Sequence, residues 1–597
     1  MCGIAGYIHL NNERETQDLS IIKRMTDVIA HRGPDGEGSY LGENFVFGHR
    51  RLAIVDLSDA GHQPMVYLNR YVITYNGEIY NYPEIKEELI RNGYVFFSNT
   101  DTEVIMAAYD FWGVECLQKF NGMWAFVIYD KKLANFFISR DRFGIKPLYY
   151  INIDGKFVFS SEIKAISAYT EDSLSPNVAY LKQYLKYGPK EYISETAFSD
   201  VFRFPHASYF LGSVEELNHL KIEKFWRIKS NVKDVRFCRE QAAIYAQQYY
   251  DLLYDAVKLR LRADVKVGSA LSGGLDSSSI VYLVNQQLRE LGKEEQQETF
   301  SSVYKTKGTE HCDESTFIDL LAQELNVRSN QIEPKENDIP AEHEKMIWSM
   351  ENPPESSCMS GWHTFKKVSE SNVIVTLDGQ GADEQLAGYV PYIATYLTSL
   401  PIVDFYKEIP FFTKIPGAKK YLFRAFIMNH FKLLFGEKNL VRFAQKVLGK
   451  KINLNLNVTL EESINSGLLN LIHYSDHVSM GHSIESRMPF MDYRLVEFLA
   501  SVPACYKMHN GWTKYIARMA FNNKLPDDIC WRVDKMGWPI PEEKWFNGGL
   551  NGWMNSRINN SLLVRETSTD IDSADELTMQ KRIRILNISV FDKVFFK

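Results

Sequence analysis

From residue 236 onward the chain alternates between two hydrophobic periods. Short apolar runs at 265–271, 298–303 and 373–377 are interleaved with longer stretches at 242–261, 277–291 and 316–325, whose apolar residues recur at helical spacing. Runs too short for helices, each followed by an amphipathic helix, have one compact solution. The strands lie parallel in a single sheet and the helices cover its two faces, a doubly wound α/β fold with extra helices. Such a sheet binds ligands beyond the carboxyl ends of its strands, so the loops after 271 and 377 are the first places to look for chemistry.

The chain has 597 residues, more than one core usually holds, and roughly two or three domains are expected. Up to residue 169 the pattern differs, with β-type runs at 71–74, 124–129 and 157–159 broken by Gly, Asn and Asp clusters, and amphipathic helices at 83–92 and 102–111. This is an α+β domain. From 170 to 235 the periodicity is poor and extended pieces are expected to cross between domains. The division is therefore a first domain at 1–200, a linker at 201–235 and a second domain at 236–597. Within the second, 401–452 is basic, aromatic and helical, and 475–518 continues the helices.

Lys and Arg number 68 against 75 Asp and Glu, for a net charge of −7, with the signs interspersed. That excludes the basic footprint of a nucleic-acid binder. No apolar run reaches the roughly 18 residues of a membrane span, and MCGIAGYIHL has no basic segment or cleavage site, so neither secretion nor a membrane partner is expected. Seven cysteines with no CxxC pair argue against a disulfide framework or zinc knuckle and for a reducing cytoplasm.

Cys2 follows the initiator Met, whose removal leaves one residue with both a thiol and a free α-amine. The amine, with a reference pKa near ~8, can take the thiol proton. Around it stand HRGPDG at 31–36, GHRRLAIVDL at 48–57, YNGEIYN at 75–81, TDTEV at 100–104 and RDRFGIKPLYY at 140–150. Asn76 and Gly77 offer a side-chain amide and an unhindered backbone N–H, the donor pair of an oxyanion hole. Arg51 can clamp an α-carboxylate, while Glu78 and Asp101 can hold an α-ammonium. These segments resemble a class II, N-terminal-nucleophile glutamine amidotransferase domain over about 2–166. The resemblance implies antiparallel sheets sandwiched between helices, Cys2 as nucleophile, Asn76 and Gly77 as oxyanion hole, and Arg51, Ile54, Val55, Glu78 and Asp101 as glutamine contacts.

LSGGLDSS at 271–278 sits where a strand gives way to a helix, so its backbone amides form an anion cradle. It lacks the Gly-Lys-Ser/Thr ending of a Walker A loop. The small hydroxyl-rich turn is similar to the PP-loop of ATP pyrophosphatases, which grips the β,γ-pyrophosphate while a substrate oxygen attacks the α-phosphorus. A second strand runs into DGQGADEQLAGY at 378–389, where Asp383 joins Asp276 as a candidate Mg²⁺ ligand. Arg487, Lys514 and Arg518, expected on helices, can neutralise the leaving pyrophosphate.

Together these segments resemble the glutamine-dependent asparagine synthetases along most of the chain. The family implies ATP and Mg²⁺, with nucleotide contacts at Ala270, Leu271, Ser272, Gly273, Gly274, Asp276, Ser277, Val303, Asp378 and Gly379, and catalytic roles at residue 380 and Lys514. Aspartate's side-chain carboxylate would be adenylated and then attacked by ammonia travelling between the domains; a homodimer is compatible with the resemblance. The chain departs from the family's pattern at Gln380, where glutamate is common, at His477, where Arg or Lys is common, and at PHASY, 205–209, where Pro-Gly-His is common. A carboxamide cannot take a proton as a carboxylate can, so either Glu384 or the substrate does that work or the acceptor differs, for example a uronic-acid sugar. A glutaminase or noncatalytic scaffold with a decayed synthetase half is the remaining reading, and intact Ser272, Asp276, Asp383 and Lys514 argue against it.

Overall fold

The computed structural model describes residues 2–11, 17–170, 174–230, 235–292, 296–448, 453–534, 539–568 and 577–596. The amino-terminal half is built on two six-stranded antiparallel sheets. The first carries Gly3–His9 at its centre, between Lys156–Ser160 and Phe45–Arg51; the second carries Tyr71–Ile79 beside Gly122–Asp130. Their inner faces meet over Ile4, Phe47, Val72, Val127 and Phe159. Asp18–Asp27 and Ile163–Thr170 pack outside the first sheet, and Asp101–Trp112 outside the second, giving the four-layer helix–sheet–sheet–helix sandwich.

Because both faces of each sheet are covered, alternate side chains of one strand enter different cores. Val72 faces the other sheet while Ile73 and Tyr75 face the helices. Truncating a side chain between the sheets, such as the fully buried Phe47, to alanine costs roughly 3–5 kcal/mol. The Asn-Gly pair at 76–77, in a sequence otherwise broken by turn clusters, lies inside a strand: Tyr71–Ile79 runs unbroken through it, nine residues long.

The segment expected to be a linker contributes strands instead. Phe202–Arg203 extends the first sheet, and Ser208–Gly212 pairs with Asn135–Arg140 in the second, with Glu223–Lys224 beyond it. These short pieces are held by pairing across long sequence separations, which leaves no local periodicity to read. The last four residues before Val235 and the end of the basic helical stretch, 449–452, lie outside the described residues.

The carboxyl-terminal half has a five-stranded, wholly parallel sheet in the order Arg328–Ile332, Glu298–Ser302, Val267–Ala270, Val375–Leu377, Glu485–Arg487. Strand order reverses between Val267–Ala270 and Val375–Leu377. The loops after those two strands therefore open side by side at the switch point. Arg487, expected on a helix, ends the edge strand.

Candidate active sites

The first site forms around Cys2, which stands just ahead of the central strand of its sheet. The Cys2 amide donates to Asn76 Oδ1 at 3.1 Å, and its carbonyl accepts from Arg32 Nε at 3.2 Å. Burial pushes the thiol pKa up, so it needs a local base to become a thiolate. Opposite Gly77, Trp124 turns both its backbone groups toward Asp141, its N–H to Oδ2 at 3.2 Å and its carbonyl to the Asp141 N–H at 2.9 Å. Gly77 therefore directs its N–H to the strand's other edge, where Tyr75 N meets Gln63 Oε1 and Ile79 N meets Asp101 Oδ2, each at 2.8 Å. A Cβ at Gly77 would lie 2.2 Å from the Met123 carbonyl, so no other residue fits.

The pocket below Cys2 is lined by Arg51, Ile54, Val55, Gly77, Glu78 and Asp101, among others, bringing together the expected glutamine contacts. Arg51 is aimed by the carbonyls of Asp56 and Ser58 at 2.5 and 2.7 Å. Glu78 Oε1 is buried with no hydrogen-bond partner, an acceptor awaiting a donor. Burial first, and Asp101 second, push the Glu78 carboxyl well above the usual range. Burial likewise raises Asp101 to about 6, against the hydrogen bond from Tyr75 at 2.7 Å. Two acids held short of full ionisation in one small pocket suit an ammonium ligand, whose charge stabilises both carboxylates.

Arg487 does not lie with the phosphate-binding groups. Its guanidinium bonds Glu485 at 2.6 Å and the carbonyls of Arg260 and Arg262 at 2.8 and 2.7 Å, and stands 3.5 Å from Glu78. The edge of the parallel sheet thus abuts the glutaminase pocket. No spacing rule signals this, because it depends on how the two halves dock.

The second site is a cavity of about 520 Å³ at the sheet's switch point. Ala270, Ser272, Asp276 and Ser277 line one side, and Asp378, Gly379, Gln380 and Asp383 another. Gly273, at φ +72°, makes the left-handed turn that lets the loop run into the Leu275–Glu290 helix. Leu271 and Val303 are buried in the core next to this wall. Lys514 reaches in from the start of Tyr515–Phe521, not from within a helix, with φ +55°, a conformation rare for a side chain of its size. Its ammonium bonds Asp276 Oδ2 at 2.6 Å and also contacts Asp383. A Cβ at Gly388 would strike Asp383 Oδ1 at 1.8 Å and Lys514 Cε at 2.3 Å, so that glycine makes room for the cluster.

The convergence of Asp276 and Asp383 on one cation suits Mg²⁺, which takes hard oxygen ligands. No group of three or more candidate metal ligands exists among the described residues, so these two carboxylates would hold the ion together with substrate phosphates. Arg518 also lines the cavity, its guanidinium held by the carbonyls of Thr513 and Cys530 and lowered by burial to about 10. Glu384 is buried and bonded to Tyr389 Oη at 2.7 Å, and burial, then Asp383, raise it to about 7. Gln380 and Tyr389 reach the cavity wall directly. Sequence patterns did not single out Glu355, Cys358, Tyr474, Trp512 or Arg532, which complete the wall from distant parts of the chain, Tyr474 from within the Gly467–Met480 helix. The only local signal was the turn-rich NPPESS at 352–357.

Fold and geometry set a pocket at Cys2 and a cavity at the parallel sheet's switch point in one chain, the arrangement of an ATP-dependent, glutamine-hydrolysing ligase. A glutamine amidotransferase domain family matches residues 1–226, and the asparagine synthase family matches 248–584. Asparagine synthetase [glutamine-hydrolyzing] 1 of Bacillus subtilis is 30% identical, covering 96% of this chain and 91% of its own. Amidase chry2 of Gibberella zeae is 26% identical over 92% of this chain and 90% of its own. The solved glutamine phosphoribosylpyrophosphate amidotransferase from B. subtilis superposes with a TM-score of 0.29 at 15% identity, over 56% of this chain and 81% of that one, too loosely to bear on function. The chain belongs to the glutamine-hydrolysing asparagine synthetase family.

Proposed function

We propose that the protein makes asparagine from aspartate, glutamine and ATP. The observation that carries this reading is the meeting, on one cavity, of the Ser272–Ser277 loop with Asp383 and Lys514, in a chain with a second pocket at Cys2. With Met1 removed, the Cys2 amine takes the thiol proton as sulfur attacks the glutamine amide carbon. The oxyanion is met by the Gly77 N–H and, with its amide turned, Asn76 Nδ2. The proton then leaves with ammonia, and water releases glutamate from the thioester.

In the second cavity an aspartate carboxylate oxygen attacks the α-phosphorus and pyrophosphate departs, stabilised by the loop amides and Lys514. Mg²⁺ held by Asp276 and Asp383 would add positive charge along the pyrophosphate oxygens. Ammonia attacks the acyl carbon and AMP leaves, giving the amide. The cysteines are all free, and no helix among the described residues is long and apolar enough to cross a membrane; the free thiols support a cytoplasmic setting.

Gln380 on the cavity wall, a carboxamide where the family commonly has a carboxylate, keeps a second reading in the test: the same steps on another carboxylate, such as a uronic acid. The test is AMP and pyrophosphate release with ATP, Mg²⁺ and glutamine, comparing L-aspartate with uronic acids and identifying the amide by mass spectrometry. Asparagine formation supports the proposal. Release only with another carboxylate replaces the acceptor, and glutamate formation without AMP overturns the ligase assignment for this chain.

A further inference from the structure

One surface is unexplained by either reaction. Residues 401–448 fold into Ile402–Phe412, Lys419–Phe435 and Glu437–Leu448, rooted beside the ATP cavity. Ile415 lines that cavity, and Lys414 stacks on Trp512 at 3.7 Å. Away from this root the helices leave large apolar side chains in solvent. On Lys419–Phe435, Leu422, Ala425 and Asn429 turn inward, while Phe423, Phe426, Ile427 and Leu434 share an outer face. Phe423 is 67% exposed and Leu434 is 74% exposed.

That face is continuous with its neighbours. Tyr406 Oη bonds His430 Nε2 at 2.8 Å, and the His430 ring lies 4.1 Å from Phe426, which joins Tyr406 and Val403 of the preceding helix to the patch. Leu433, Phe435 and Phe443 carry it over the next turn. A contiguous apolar surface of this kind is rare on a protein that stays free in water.

Its surroundings are strongly basic. Residues 401–448 hold nine Lys and Arg against three Asp and Glu, although the whole chain carries −7. Lys419, Lys420, Arg424, Lys438, Arg442 and Lys446 are exposed and form no ion pairs among the described residues. A second copy of the same face would oppose like charges across the contact. An anionic bilayer surface is complementary in both respects: aromatic and aliphatic side chains enter the acyl boundary while Lys and Arg meet the headgroups.

We propose that the helices of residues 401–448 dock the protein on an anionic membrane surface, in the interface plane and without spanning. The inference is independent of which carboxylate is amidated. It also revises the expectation of no membrane partner, which rested on the lack of an 18-residue apolar run; an interfacial face needs only an apolar stripe flanked by basic residues.

The test is co-sedimentation of the full chain with phosphatidylglycerol–phosphatidylcholine vesicles against phosphatidylcholine alone. Binding is expected only to the anionic vesicles, with release in high salt. Reversing Lys419, Lys420 and Arg424 to Glu should weaken binding by about a hundredfold, each basic residue near such a surface contributing about fivefold. Phe423→Ser with Leu434→Ser should also release the protein. Both variants should keep the parent's thermal midpoint and AMP release in solution, since the altered side chains are exposed and touch neither site.

A chain that stays in the supernatant with anionic vesicles overturns the proposal, as does undiminished binding by the charge-reversed variant. So does a dimer in light scattering that Phe423→Ser splits, which would assign the face to a second copy. Binding to polyglutamate but not to vesicles would assign it to an acidic protein instead.

Discussion

Replacing Lys514 by Met should separate the two reactions of this enzyme. The Lys514 ammonium, 3% exposed, is 2.6 Å from Asp276 and also touches Asp383. At an effective dielectric near 20, a pair of unit charges about 4 Å apart attracts by about 4 kcal/mol before desolvation. Breaking a buried pair of this kind costs roughly 3–5 kcal/mol of stability, because the carboxylates lose the Lys514 charge that offsets their burial. Methionine keeps the length and apolar stem, so the loss is chiefly of charge. If that charge meets the departing pyrophosphate, its removal should slow pyrophosphate release by about 10²- to 10³-fold. The assay follows pyrophosphate and glutamate in the same mixture at saturating glutamine, aspartate and Mg²⁺. Glutamate formation should persist, which also shows that the chain is folded. Adding Asp276→Asn should recover part of the lost thermal stability while leaving synthesis abolished, since one of the two negative charges that faced Lys514 is then gone. Pyrophosphate release within tenfold of the parent would refute a transition-state role for Lys514.

Cys2→Ala should abolish glutamine-dependent synthesis yet leave synthesis driven by added ammonium, measured as AMP release with either nitrogen source. Asp101 must be anionic to hold an ammonium, and burial places it at about 6; the glutamine KM should therefore rise as pH falls below about 6 and level off above it, and Asp101→Asn should remove that limb. Gln380→Glu should preserve or raise aspartate-dependent AMP release, whereas its abolition would show that the carboxamide has a required role. Arg487→Lys keeps a charge but cannot span Glu485, Glu78 and two carbonyls; the glutamine KM should rise by about tenfold, equivalent to ~1.4 kcal/mol, with ammonia-driven synthesis unchanged.

The parts of this molecule legible in its sequence are those where local chemistry dictates local form. LSGGLDSS after an apolar strand leaves few choices, since a glycine turn ahead of a helix must gather amides at one point. Cys2, Arg51, Ile54, Val55, Gly77, Glu78 and Asp101 line one pocket, because their motifs lie on strands, a loop and a helix start of one domain. Arg487 reads as helical in the sequence because its three-residue strand is too short to show a period and is fixed by pairing with Val375–Leu377. Ser208–Gly212 reads as linker in the sequence for the same reason, its partner strand lying some seventy residues back in the chain. The cavity's outer wall was illegible because Glu355, Tyr474, Trp512 and Arg532 are adjacent only after long-range packing.

The contact between the halves explains why their chemistry can be linked without a moving part. Leu52 and Ile54, in the loop that lines the glutamine pocket, belong to the same apolar core as Leu271 and Leu377 of the parallel sheet. Asp264 ties that loop down, its N–H on the Ile54 carbonyl and its carboxylate on the Asp56 N–H, both at 2.8 Å. Farther along, Arg32 of the first half bonds Glu162 and, across the boundary, Asp476, each at 2.8 Å with no solvent exposure at Arg32. Lys146 joins the same carboxylate at 3.2 Å, and together these cations hold Asp476 down to about 2 against the effect of burial. An ordinary domain boundary is polar, wet and free to shift. Here the first half alone would expose apolar core residues and leave Arg32 and Lys146 short of a partner, so the two halves should lose their structure in one transition. The Cys2 pocket and the switch-point cavity are then held in fixed relation by shared packing, and Arg487, at the edge of the parallel sheet, stands 3.5 Å from Glu78 in the Cys2 pocket.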